Sequence, residues 1–125
     1  MKTIVLTARV GDWTRAIDTG YYDKSTINSS LAEVGFIHCS FPDQVMAMAN
    51  RKYRGEPDLV LLLINPEKVT SEIRYERALS GRPGIFPHIF GALNVGAVYG
   101  VAPLVAGPDG SFLPPDQLAS AGHSS

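Results

Sequence analysis

The chain has 125 residues, 45% of them apolar and 18% charged, which suits one hydrophobic core and excludes pervasive disorder, collagen-like repetition and coiled coils. Eleven lysines and arginines against twelve aspartates and glutamates give a formal net charge of −1, so no basic excess selects for a nucleic-acid backbone. One cysteine, Cys39, permits no internal disulfide, and no Cys/His cluster has zinc-ligand spacing, so no metal is expected and a reducing cytoplasm fits. No signal peptide is read at the N-terminus, and the longest apolar run, Leu59 to Ile64, is far too short to span a membrane.

Thr3 to Thr7 is a β-branched run expected to form a strand. Asp12 is placed to cap a short helix carrying Trp13, Ala16 and Ile17, with Gly20 as its stop. Tyr21 to Ser30 is polar and irregular. Phe36 to Ser40 reads as a strand whose alternation puts Phe36, His38 and Ser40 on one face and Ile37 and Cys39 on the other. Pro42 then opens a helix to Tyr53, with Ser40 and Asp43 spaced as a capping box and Val45, Met48, Ala49 and Tyr53 as its apolar face. Leu59 to Ile64 has no polar alternation, the pattern of a central strand covered on both faces. Glu72 to Glu76 alternates as a half-exposed strand, and Arg77 to Pro87, with two glycines and two prolines, is a long loop of the kind that carries function. Strands near His88 to Leu93 and Ala97 to Leu104 complete the body. Without regular strand-helix alternation, the expectation is α+β: a compact mixed or antiparallel sheet with two or three helices in a domain of residues 1–106. Residues 107–125, rich in proline and glycine, are expected to be a disordered tail whose deletion costs little, with Phe112 and Leu113 the side chains that could dock.

His38 stands mid-strand, directly before a helix N-terminus. Either it and Ser40 project into a cleft beside backbone N–H groups suited to an anion, or His38 is a buried ring bonded to a carbonyl. Arg51, Lys52 and Arg54 cluster at the end of that helix, where the macrodipole attracts cations; Arg51, off the apolar face, is also placed to fork a phosphate. Glu76 ends a strand beside the Gly/Pro loop, where a carboxylate could bond a ribose hydroxyl or stabilise a developing cation, or simply face water. His88, between aromatic and aliphatic neighbours, is expected in the core. Cys39, facing opposite His38, offers no Cys-His nucleophile, and His123 in the tail has no assigned role.

The blocks GFIHCS, QVMAMANRKYRG, DLVLLLI and FPHIFGAL, in that order, resemble the bacterial family catalogued as domain of unknown function 952 over about residues 3 to 105. That family resembles a small relative of the ADP-ribosyltransferase fold, and its second block is similar to part of the tRNA 2′-phosphotransferases. The resemblance implies that His38, Ser40 and Arg51 bind NAD or ADP-ribose, with a small nucleotide as partner; Arg54, from the same cationic cluster, is added as a binding residue, and His38 and Glu76 are the candidate catalytic residues. The activity implied is ADP-ribosyl transfer or NAD cleavage; the alternative is a non-catalytic binding or interaction module on the same fold. The relatives place a histidine in the first strand, and this chain has Val5 at or near that position.

Overall fold

The first strand meets expectation and sets the frame for the rest. In the computed structural model, which describes residues 2–122, β1 (Ile4–Arg9) leads into α1 (Val10–Thr19), β2 (Tyr21–Tyr22), β3 (Lys24–Thr26), β4 (Ser29–Ser30), α2 (Leu31–Val34) and β5 (Ile37–His38). After α3 (Pro42–Lys52) come β6 (Leu59–Ile64), β7 (Glu72–Arg77), β8 (Ile85–Phe90), β9 (Leu93–Asn94), β10 (Val98–Ala106), β11 (Phe112–Leu113) and α4 (Asp116–Gly122). The architecture is α+β, and its strand pairs are antiparallel. No α-helix among the described residues is long and apolar enough to cross a membrane.

The apolar run of β6 explains the layering. It lies between β1 and β10 in a sheet ordered β1-β6-β10-β11, and all six of its side chains are buried. Val60, Leu62 and Ile64 pack on one face with Ile4, Leu6, Ile37 and Ile89. Leu59, Leu61 and Leu63 pack on the other with Val5, Val45 and Ala49 of the helix α3 face. Burial on both faces is what a strand without polar alternation requires. A second sheet, β5-β8-β7, is tied to the first where Val5 and Ser40 exchange backbone hydrogen bonds of 2.7 and 2.8 Å.

Two cap assignments are corrected. Arg9 occupies the N-cap of α1 with no side-chain bond to the helix, while Asp12 lies in the first turn and pairs with Arg15 at 3.4 Å; Gly20 ends the helix in the left-handed region, as expected. At α3 the box moves by one residue: Phe41 is the N-cap, and its backbone N–H donates to Gln44 Oε1 at 2.9 Å, leaving Ser40 and Asp43 out of it. Gln44 also donates to the Ile85 carbonyl at 2.8 Å, so the start of α3 holds the loop between β7 and β8 against the helix.

The tail expectation is corrected as well. Residues 107–122 fold back: β11 pairs with the end of β10, and α4 follows, with Phe112, Leu118 and Ala121 buried. Asn50 of α3 fixes β11 by accepting the Phe112 N–H at 2.6 Å, and Arg54 reaches the Asp109 carbonyl at 2.9 Å. Few apolar side chains sufficed, because Phe112 and Leu118 fill places on an existing core face. His123 lies outside the described residues.

Val5 is a core side chain, 1% exposed among Leu61, Leu63 and Val45. Val5→His is therefore expected to destabilise the protein by about 1–3 kcal/mol, the cost of a buried polar group without a partner, and to leave ligand binding unimproved. Chemical denaturation beside a binding titration checks both halves; a tighter ligand at unchanged stability would contradict this placement.

Candidate functional site

One cavity of about 50 Å³ gathers residues from distant parts of the chain. Its walls include Thr7 of β1, Ser25 and Thr26 of β3, His38, Cys39 and Ser40, the last two turns of α3, and Ser80, Arg82, Phe86 and His88. It continues into an outer groove of about 250 Å³ between α3 and the β7-β8 loop, and Met48, Arg51, Arg82 and Phe86 line both.

Strand register builds the inner wall. His38 pairs with His88 across β5 and β8, so the two rings share a face and stand 5.3 Å apart, edge to face. Phe36 lies 4.3 Å from His88 in a stacked contact and 4.7 Å from His38, which fixes both imidazoles against an aromatic plate. His38 is half-buried and His88 only 1% exposed. Burial, with the His88 ring and Lys52 as further causes, pulls the His38 pKa down to about 4, so its imidazole is neutral at pH 7. His88 Nδ1 lies 2.9 Å from Glu76 Oε1.

The lowered His38 value carries a stability consequence. Because the unfolded chain protonates near 6.5 and the folded one near 4, the unfolded state binds more protons between those values. Stability is then full above pH 6.5 and falls as the pH drops toward 4. An NMR titration should place the His38 midpoint near 4, and His38→Gln should flatten the loss of stability across that window; a midpoint at 6.5 would contradict the burial argument.

The mouth is cationic. Arg51 and Lys52 end α3, and Arg82 faces them from the loop. Among the described residues none of the three has a carboxylate within 4 Å; the ion pairs present are Arg9–Glu56, Arg15–Asp12, Arg54–Asp109, Arg74–Glu72 and His88–Glu76. Burial and then the Arg82 charge pull Arg51 below its ordinary pKa, and burial followed by Arg51 and Arg82 does the same to Lys52. Three like charges repelling one another beside a cavity are stabilised by an anion that sits among them.

Inside, polar atoms stand without partners. Thr7 Oγ1, Ser25 Oγ and His88 Nε2 are buried and unbonded among the described residues, and all three residues line this cavity. A buried polar group left alone costs about 1–3 kcal/mol, so three of them around one space mark a place built for a polar guest or for water.

Three sequence candidates thus divide from two. His38, Ser40 and Arg51 meet at the cavity, with Ser40 also spending its backbone on β1. Arg54 does not line it: its guanidinium is turned to Asp109 and holds the tail, because it follows the end of α3 rather than belonging to its cavity face. Glu76 is not a wall residue either, and reaches the cavity through His88. Cys39 touches the wall but is 4% exposed within the core, and burial pushes its thiol pKa up, which makes it a poor nucleophile. His88, expected in the core, is buried and also part of the site. Thr7, Ser25 and Arg82 carried no individual signal, although Arg82 belongs to the Gly/Pro loop singled out for function. No group of three His, Cys, Asp or Glu among the described residues is placed to hold a metal.

Comparisons with known proteins bear on the chain's family and fold. The crystal structure of protein CC0527 from Caulobacter crescentus superposes with a TM-score of 0.79 at 31% identity, covering 94% of this chain and 98% of that one. The solution NMR structure of the same Caulobacter protein gives a TM-score of 0.74 at 28% identity, covering 96% and 97%. None of the curated proteins compared matches the chain. The model described as "Protein of unknown function (DUF952)" matches residues 7–101, from the end of β1 to the middle of β10 and so across every wall of the cavity, and the chain belongs to that family.

Proposed function

We propose that the cleft binds a phosphate-bearing nucleotide of the NAD or ADP-ribose kind, with Arg51, Lys52 and Arg82 taking the phosphates. The observation that carries this reading is the convergence of those three cations on the mouth with no carboxylate within 4 Å among the described residues. An arginine pair gives planar forks suited to a diphosphate, and the lysine adds a point charge. An enclosed volume of about 50 Å³ takes only a few heavy atoms, so the rest of such a ligand would lie along the outer groove. Neutral His38 and the Ser40 side chain are then hydrogen-bonding partners for the enclosed group. The resemblance to the ADP-ribosyltransferase fold supports a nucleotide over other anions and supplies the candidate reaction, ADP-ribosyl transfer or NAD cleavage.

A binding module without turnover is the second reading. It is favoured by Val5, a core side chain near the position where the relatives place a histidine. Thermal-shift titration with NAD, ADP-ribose, AMP and pyrophosphate, together with a nicotinamide-release assay, tests both. A ligand at ~100 times its Kd stabilises by about 2.7 kcal/mol, so a clear rise in Tm with ADP-ribose or NAD is expected. Nicotinamide release would decide for the enzyme, and stabilisation without release for the module. No shift with any phosphate-bearing compound would refute the nucleotide reading.

A further inference from the structure

The polar character of the cavity changes with depth. At the mouth stand three cations, which match an anion. Further in, the groups are of another kind. Nδ1 of His88 lies 2.9 Å from a Glu76 carboxylate oxygen, so Nδ1 is the nitrogen that donates there, and in the neutral ring Nε2 is then the acceptor. That Nε2 is buried and unbonded among the described residues. His38, beside it, is neutral at pH 7. Thr7 and Ser25 add two buried hydroxyls that both donate and accept, likewise without partners. A phosphate oxygen accepts only and would face the Nε2 lone pair; an apolar group would leave every one of these atoms unpaired. A hydroxyl satisfies them, giving its hydrogen to Nε2 and accepting from Thr7 or Ser25. The enclosed volume, about 50 Å³, suits a group of that size.

We propose that His88, oriented by Glu76, is a binding residue for a ligand hydroxyl at the closed end of the cleft, and that the ligand is a phosphorylated sugar or polyol entering hydroxyl end first with its phosphate at Arg51 and Arg82. This rests on the anion site proposed above and adds an orientation and a chemical class to it. Glu76 is a positioning residue: it touches His88 rather than the ligand, and it fixes which ring nitrogen accepts.

The test pairs binding with a direct view of the ring. Three probes are titrated into the full chain: pyrophosphate, ribose 5-phosphate and pentyl phosphate, the last lacking hydroxyls. Long-range nitrogen-proton NMR reports which nitrogen of His88 carries the proton. Free protein is expected to show the Nδ1–H tautomer, and ribose 5-phosphate, but not pentyl phosphate, should move the Nε2 resonance. Ribose 5-phosphate should bind about tenfold more tightly than pentyl phosphate, the effect of leaving one buried acceptor unpaired. Glu76→Gln, a change at a half-exposed side chain, should shift the tautomer balance and shrink that preference; His88→Asn should abolish it, and should His88→Asn fail to fold, the ring signals of wild type and Glu76→Gln decide. Equal affinity for the two monophosphates with an unmoved Nε2 resonance would overturn the hydroxyl subsite and make the inner cavity a hydrated space only, while tight pyrophosphate binding would leave the anion site standing. Failure of all three probes to bind would overturn both.

Discussion

Phe112→Ala is expected to cost about 3–5 kcal/mol of stability, the range for truncating a buried phenylalanine. Phe112 is 3% exposed, packs in the cluster that holds Val45, Leu59 and Leu104, and its backbone is clamped by Asn50. In a domain of this size that loss lowers Tm by roughly 10 °C or more. Deleting the chain from residue 107 should cost at least as much, since Leu118 and Ala121 leave with it. Arg54→Ala should cost far less, because its bonds to Asp109 are exposed. Differential scanning calorimetry separates the three. A truncated protein with an unchanged melting temperature would detach the tail from the fold.

Arg51→Ala and Arg82→Ala are each expected to weaken binding of pyrophosphate or ADP-ribose by about 10- to 100-fold, corresponding to about 1.5–3 kcal/mol for a hydrogen bond to a charged group. The two losses should not add, because the residues face one another and would share one anion. Lys52→Ala should lose less, having no planar fork to give up. Arg54→Ala is the matched control: the same charge is removed a short way along the chain, at a side chain committed to Asp109. Isothermal titration checks the ranking. Equal losses for all four would mean a diffuse positive field rather than a site.

Much of the frame was legible because it depends on local pattern. The unbroken apolar run of β6 required two covering layers, Pro42 opened a helix, and Gly20 closed one. Alternation along Phe36 to Ser40 put Cys39 in the core with Ile37, although Cys39 also touches the cavity wall that His38 lines. The tail was missed because Phe112 and Leu118 have no periodic neighbours, and only the half-covered face beside β10 and α3 gives them a place. Arg54 and Glu76 were placed by their neighbourhood in sequence, yet α3 ends at Lys52, so Arg54 does not keep the i, i+3 relation to Arg51 that a continuing helix would give and turns to Asp109 instead. His88 was legible as buried and not as functional. The role proposed for it depends on Glu76 across the β7-β8 pair and on a cavity lined by Thr7 and Ser25, contacts that no spacing in the sequence encodes. Arg82 is similar: the loop announced itself, but its approach to α3 depends on tertiary contacts such as Gln44 bonding the Ile85 carbonyl.

The central claim is that one anion site lies between the end of α3 and the β7-β8 loop, at the mouth of a polar cavity. NMR mapping of an ADP-ribose titration tests it most directly, following backbone amides and the arginine Nε–H signals together. The account predicts saturable shifts at Arg51, Lys52 and Arg82, with Thr7, Ser25, His38 and His88 following at the same apparent Kd and Arg15, Arg54 and Arg74 unmoved. Shifts spread evenly over the surface arginines, or none at the cavity walls at millimolar ligand, would contradict it.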